Sequence, residues 1–383
     1  MDAFVLRFPR TGIVNVVFNI LDRLSRDPGC DLTILLQDYQ FARPELAQFA
    51  QSLKSKIVEE TSLDRKIYRL RRFAMDRGLT AKLPLSCQIR RAIDRCDIYH
   101  CTDWYYFPSR KAHKNVITVY DMTTRLFAQH HERTNIVKEA RKARNLRDFD
   151  KVIAISESTR RDVIEYTNVK PENVVTIPLG VDATYEAPHV INRDDLLDYY
   201  RIPRERRYIL SVSTIEPRKN VVGLLDAFRL LKQSSQEYDD VLLILIGPMG
   251  WGNHELTRHI KDYPYKDQIF FPGYVALADM PSFYRHASCF AYLSFYEGFG
   301  IPILEAMKSS CPVVCSNASS MPEVIGDCGE LVTPSEPCEA AEALRRILDR
   351  TSYADDLRTR GLKRSLTFTW DRCVERLLEI YRA

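Results

Sequence analysis

Apolar residues at positions 13, 16, 17, 20, 21 and 24 recur at the helical period, so GIVNVVFNILDRL is predicted to be an amphipathic helix. Short β-rich runs alternate with such stretches along the whole chain. FVLRF, LTILLQ, DIYHC and NVITVYD predict strands, and KVIAIS leads into the helical ESTRRDVIEY and then the strand VVTIPLG. This order, strand–helix–strand, predicts a parallel sheet covered by helices.

Between Tyr185 and Arg207 the alternation gives way to a Pro- and charge-rich stretch, which reads as a linker. It then restarts with YILSVST, the helix NVVGLLDAFRLLK, VLLILIG, QIFFPGYV and SCFAYLS, followed by a helix from Pro302 and the strand PVVCSN. Two more helices are opened by Pro322 and Pro337, where a missing N–H costs nothing. The chain closes on the amphipathic WDRCVERLLEIYRA. The predicted fold is α/β: two tandem doubly wound, Rossmann-like domains over residues 1–187 and 188–367. Ligands in such sheets bind beyond the carboxyl ends of the strands, so the expected site is the cleft between the domains.

The bulk numbers agree with this division. A chain of 383 residues exceeds the roughly 250–300 that one core serves. No apolar run reaches the ~20 residues of a membrane span, and the N-terminal MDAFVLRFPRTGIVNVV lacks the pattern of a signal peptide. The ten cysteines include no C-x-x-C, so they are expected to be reduced core residues of a cytoplasmic protein, with two buried thiols in CPVVC. The net charge of +4 is uneven. Residues 1–190 carry 31 Lys/Arg against 24 Asp/Glu, and residues 191–383 carry 24 against 27. The segment Arg65–Arg95 holds ten basic residues against two acidic. It reads either as a solvated helical face or as a surface for anionic lipid or a phosphorylated acceptor. Nothing resembles a nucleic-acid-binding module, and nucleic acid is not expected as a partner.

Candidate chemistry lies at the strand-to-helix turns. In SFYEGFGIPILEAM the strand AYLS ends, Gly298 and Gly300 form the turn, and Pro302 sits in the first turn of the helix. Free N–H groups and the positive helix end attract phosphate there, and missing side chains admit a ligand to the backbone. Glu297 and Glu305 flank that anion site, and carboxylates accept hydrogen bonds from sugar hydroxyls. An anion between two hydroxyl-bearing groups describes a nucleotide sugar; a helix start with nearby acids is the plainer alternative. STIEPRKN places Arg218 and Lys219 at a second carboxyl edge, where they can hold a diphosphate or stand as a solvated pair. Gly12 marks the first strand-to-helix turn, without the G-x-G-x-x-G pattern. Tyr120 and Asp121 end NVITVYD, either facing the cleft or capping the next segment. The adjacent His130 and His131 point apart, which argues against a shared metal.

These residues carry a resemblance. SFYEGFGIPILEAM and PVVCSNASSMPEVIGDCGELVTP resemble glycosyltransferase family 4, retaining nucleotide-sugar enzymes of GT-B fold, as do STIEPRKN, ISESTRRDVIEY, VVTIPLGVD, FFPGYV and TFTWDRCVERLLEIY. The match is specific over residues 150–383 and looser before. It implies Glu297 near the donor hexose, Glu305 on the ribose, and the backbone of Gly298, Phe299, Gly300 and Ile301 along the diphosphate. It implies Arg218 and Lys219 as diphosphate cations, Gly12 as the N-terminal glycine loop, and Tyr274 near the nucleobase. The last helix, about 368–383, is expected to return to the N-terminal domain. Two positions depart from the pattern: many members have a histidine near the donor sugar where this chain has Tyr120, and the glycine loop is reduced to one glycine.

The implied reaction moves a hexose from a nucleotide diphosphate sugar to an acceptor hydroxyl with retention. The leaving phosphate, held by Arg218 and Lys219, takes the acceptor's proton, so neither a cofactor nor a metal is expected. The T-I-E-P-R-K-N form points to bacterial surface polysaccharide or lipopolysaccharide assembly, with GDP-mannose as the first donor and a UDP-sugar as the second. The acceptor is expected to be a glycan or lipid-linked, with peripheral contact at the inner face of the plasma membrane through residues 65–95. Two alternatives stand beside it: a sugar-nucleotide binder without turnover, and a nucleotide-sugar epimerase of the same fold.

Overall fold

The structure, a computed structural model, describes residues 1, 12–36, 56–59, 91–102, 112–127, 136, 140, 143–186, 191–250, 252 and 254–383. The chain divides into two units, Met1–Leu179 with Trp370–Ala383, and Gly180–Thr369. FVLRF, His130, His131 and most of the basic segment lie outside the described residues.

In the first unit, α1 (Gly12–Leu24) buries Val16, Val17, Ile20, Leu21 and Leu24. That is the stripe its spacing predicts. Strands β1 (Thr33–Leu36) and β2 (Lys56–Glu59) form a parallel pair. Strands β3 (Ile98–Cys101), β4 (Lys114–Val119), β5 (Lys151–Ala154) and β6 (Val174–Thr176) form a parallel sheet in that order. A short helix α2 (Thr123–Leu126) follows β4, and α3 (Glu157–Tyr166) follows β5. Ser156 caps α3 by accepting from the Thr159 N–H at 2.9 Å. Cys101, Ile117, Val119, Val152 and Ala154 pack with Leu146, Phe149 and Val163 into one core.

The second unit begins with α4 (Arg193–Tyr199), β7 (Tyr208–Val212), α5 (Val221–Ser234), β8 (Leu242–Ile246), α6 (His254–Lys261) and β9 (Ile269–Phe270). It continues with α7 (Met280–His286), β10 (Cys289–Tyr292), α8 (Ile301–Lys308), β11 (Val313–Ser316) and α9 (Met321–Ile325). Strand β12 (Glu330–Val332) and helices α10 (Pro337–Asp349) and α11 (Thr351–Ser365) complete it. The six strands are parallel in the order β12-β11-β10-β7-β8-β9. Ile209, Leu243, Leu245, Cys289 and Ala291 meet Leu224, Phe228, Leu231, Leu344 and Ile347 on one face. On the other, Tyr208, Leu210 and Phe290 are also fully buried. A parallel sheet needs both faces covered, and here both are. From β7 the chain steps outward to β9, then returns to lay β10 on the opposite side of β7. The carboxyl ends of β7 and β10 therefore flank the crevice where such sheets bind ligands.

The closing helix α12 (Trp370–Arg382) belongs to the first unit. It buries Trp370, Val374, Leu377 and Leu378, and Arg23 pairs with Asp371. His100 lies between the hydroxyls of Tyr381 and Thr118, and burial pushes its pKa down to about 3.

Three expectations need correction. The Tyr185–Arg207 stretch is not a plain linker. Asn192 caps α4, Asp194 and Asp195 favour its positive end, and Leu196 and Leu197 are buried. The units change hands at Leu179/Gly180 and not at 187/188, because Tyr185 and Glu186 are fixed to α8 by contacts to Ser309 and Lys308. Six of the nine described cysteines are buried, Cys311 and Cys315 among them, whereas Cys30 and Cys96 are half-buried and Cys338 is exposed. All nine are free thiols. None of the described helices is long and apolar enough to cross a membrane.

Candidate functional site

The two segments singled out by sequence meet at the β7/β10 switch point. After β7 the chain makes a 3₁₀ turn, Pro217–Lys219, that carries both cations. Asn220 ends that turn in the left-handed region at φ 53°, and its side chain caps α5. Asparagine tolerates that conformation, which accounts for the K-N pair. After β10, the Phe295 N–H donates to the Arg218 carbonyl at 2.9 Å and joins the two loops.

Their side chains form one buried network. The Lys219 ammonium donates to Glu297 Oε1 at 2.6 Å and to the Tyr292 hydroxyl at 3.0 Å. Arg218 donates to Glu297 Oε2 at 3.1 Å, to the Tyr296 carbonyl at 2.6 Å and to Glu216 Oε1 at 2.7 Å. Glu297 is only 7% exposed. Burial alone would raise its pKa, but Lys219 and Arg218 outweigh burial and hold it at about 2. Burial and the charge of Arg218 draw Lys219 below the usual ammonium range, with Glu297 opposing. An ammonium has three protons, and the contacts to Glu297 and Tyr292 occupy two of them.

The turn that follows is held from β11. The Ser319 hydroxyl accepts from the Glu297 N–H at 2.9 Å, and the Ser320 hydroxyl lies 2.9 and 2.8 Å from the Glu297 and Phe299 carbonyls. Gly300 adopts φ 103°, a conformation strained for any L side chain, and a Cβ there would meet Ile303 Cδ1 at 3.2 Å. No side chain caps α8 at Gly300, so the first N–H groups of the helix keep no side-chain partner there. The stretch can therefore receive an anion.

Glu305 lies one turn further along α8. Its carboxylate accepts from the Tyr284 hydroxyl at 2.9 Å and from that of Tyr185. Burial pushes its pKa up to about 7, with the two phenols opposing and Asp182 adding to the rise. The acids flanking the turn are thus electrostatic opposites.

The remaining candidates lie elsewhere. Tyr274 is 80% exposed in the loop after β9, apart from this network. Tyr120 and Asp121 directly follow β4 in the first unit; Tyr120 is buried, and Asp121 accepts from the N–H of Thr123, the first residue of α2, at 2.9 Å. Gly12 opens α1, and among the described residues nothing lies within 4 Å of a Cβ built on it. No group of three His, Cys, Asp or Glu side chains is gathered as metal ligands among the described residues.

Sequence reasoning missed Glu216, Tyr292, Ser319 and Ser320, although Glu216 lies inside STIEPRKN and the serines inside CSNASSM. Tyr185 and Tyr284 gave no local signal, since they reach Glu305 from 120 and 21 residues away.

Comparison with known proteins covers both units. Residues 10–185 match the model of Glycosyltransferase Family 4, and residues 192–364 that of Glycosyl transferases group 1. The chain is 32% identical to O-antigen chain mannosyltransferase B of Escherichia coli over 287 residues, 74% of either chain. It is 31% identical to serotype-specific mannosyltransferase WbdA of Escherichia coli over 58% of this chain and 27% of that one. Among solved structures, HepE of Anabaena with UDP and glucose superposes with a TM-score of 0.73 at 20% identity, covering 97% of this chain and 96% of that one. WaaG, a glycosyltransferase involved in lipopolysaccharide biosynthesis, gives 0.69 at 15% identity over 98% and 97%.

Proposed function

Because the chain belongs to glycosyltransferase family 4, we propose that the Arg218–Glu297–Lys219 network and the turn at Gly298–Ile301 bind the diphosphate sugar from which the enzyme transfers a hexose. The carrying observation is that Glu297 is held ionised by two cations beside an uncapped helix start at the switch point. The diphosphate lies along the backbone of Gly298, Phe299, Gly300 and Ile301, with Arg218 and the third proton of Lys219 directed to it. Glu305 accepts from the ribose, and the exposed ring of Tyr274 offers a face to the base. Asp121, Tyr120 and Gly12 are assigned to the side that meets the donor sugar and acceptor.

In the reaction, the bond from the anomeric carbon to the phosphate oxygen breaks and the acceptor oxygen bonds on the same face. The acceptor's proton passes to the leaving phosphate. Glu297 orients the hexose and stabilises positive charge at the anomeric carbon without forming a bond to it. The cations and helix end neutralise the charge that develops on the diphosphate, so we assign no step to a metal. GDP-mannose is the proposed donor, supported by the similarity to the Escherichia coli mannosyltransferases. The proposed acceptor is a glycan or lipid-linked hydroxyl in bacterial surface polysaccharide assembly, approached with the basic segment 65–95 against anionic lipid.

The test is a thermal-shift screen with GDP, UDP, ADP and their sugars, followed by turnover of the ligand that stabilises. A ligand at 100 times its Kd adds about 2.7 kcal/mol of stability. Lys219→Ala and Glu297→Ala are expected to lower kcat at least ~100-fold while circular dichroism still reports a folded chain. Wild-type rates in both would remove the site assignment.

A further inference from the structure

We infer that Tyr185 and Tyr284 are positioning residues for Glu305: their hydroxyls fix its carboxylate and keep it in the form that accepts hydrogen bonds from the donor's ribose. This rests on the proposed ribose role of Glu305. Three segments distant in sequence converge on one carboxylate. Tyr284, on α7, is fully buried and donates to Glu305 Oε2 at 2.9 Å. Tyr185, on the 3₁₀ turn Ala183–Glu186, is 5% exposed and donates to the same group. The two rings meet edge to face at 5.8 Å.

The 3₁₀ turn is itself fastened to α8. The Ser309 hydroxyl donates to the Tyr185 carbonyl at 3.1 Å, and Lys308 pairs with Glu186 at 2.9 Å. Any shift of the turn therefore moves with the helix that carries Glu305. A carboxylate offers about four acceptor sites. The phenols occupy two, and two remain, the number that a ribose with vicinal hydroxyls requires.

Among the described residues the groups acting on Glu305 are few. From α7 it is Tyr284; from the 3₁₀ turn, Tyr185, with Asp182 just before it; on its own helix Lys308 is engaged by Glu186. Burial and Asp182 favour the protonated acid, and among the described residues the phenols of Tyr284 and Tyr185 counter them. A protonated Glu305 loses acceptor capacity, so nucleotide affinity should fall as pH drops below about 7. Removing one phenol hydroxyl should carry that fall to higher pH.

The experiment measures GDP affinity by calorimetry from pH 6 to pH 9, with UDP in parallel, for the wild type, Tyr185→Phe, Tyr284→Phe and Glu305→Gln. Both phenylalanine variants should bind about tenfold more weakly at pH 7 and recover toward wild type at pH 9. Glu305→Gln should bind weakly with no such pH dependence. If Glu305→Gln is weak but the phenylalanine variants follow the wild-type curve, the positioning role is overturned and the ribose role stands. Equal weakening at every pH also overturns it, leaving only a structural role. If Glu305→Gln binds like wild type, or neither nucleotide binds the wild type, the ribose role fails and takes this inference with it. Should Tyr284→Phe not fold, Tyr185→Phe at the turn carries the same test.

Discussion

Glu297 and Glu305 stand eight positions apart around one turn, and their surroundings drive them in opposite directions. Two cations hold Glu297 at about 2, whereas burial without a cation lifts Glu305 to about 7. The signs differ accordingly in the stability of the fold. A depressed carboxyl stabilises the native state above its unfolded value, and that contribution is lost as pH falls from about 4.5 toward 2. A raised carboxyl does the reverse, its contribution fading as pH climbs from about 4.5 to 7. Urea unfolding of the wild type and Glu297→Gln should therefore differ most near neutrality and converge as pH falls to about 2. A constant difference across that range would show that the two cations are not what sets Glu297.

At the scale of elements, the donor turn is a short piece of backbone tied down on three sides. Arg218 holds it from β7, Ser319 and Ser320 from the loop after β11, and Gly300 releases it into α8. Gly300→Ala puts a Cβ where φ is 103° and Ile303 is 3.2 Å away. The expected cost is about 1–3 kcal/mol, concentrated in this turn. Nucleotide affinity should drop with little change in the far-UV spectrum, and unchanged affinity would mean that the turn's shape is not what receives the diphosphate. Much of this element is legible in sequence: Gly-Phe-Gly before Ile-Pro announces a turn and a helix start. The serine clamps are not, because a serine is as readily a surface residue as a tether, and only the return of β11 beside β10 brings them to the turn.

Across the whole molecule, charge is divided as unevenly as function. Residues 1–190 carry the positive excess, and residues 191–383, which hold the acid–cation network, are net negative. If the basic 65–95 segment meets anionic lipid, sedimentation with phosphatidylglycerol vesicles should carry the protein down at low salt. Raising salt to 1 M should release it, since exposed charges are screened beyond about 3 Å there. No sedimentation at low salt would dismiss the membrane proposal. The closing helix shows the same long-range logic in packing. Its amphipathic stripe predicts that it is buried somewhere, but its partners, Arg23 and His100, lie 348 and 281 residues from the groups they meet.

The order of elements, the switch from one α/β unit to the next and the two segments at carboxyl edges were all written in the sequence. Hydrophobic periodicity and turn chemistry are local properties, and a strand or helix start needs only its neighbours to be recognised. Local reading failed at Tyr185–Arg207, where a charged helix start looked like a linker until Leu196 and Leu197 found a surface to bury against. It could not tell that Glu297 would be gripped by cations while Glu305 met two phenols. Those environments are assembled by strand order and helix packing between residues from 21 to 120 positions apart, and burial and charge at a carboxylate are set by such neighbours in space.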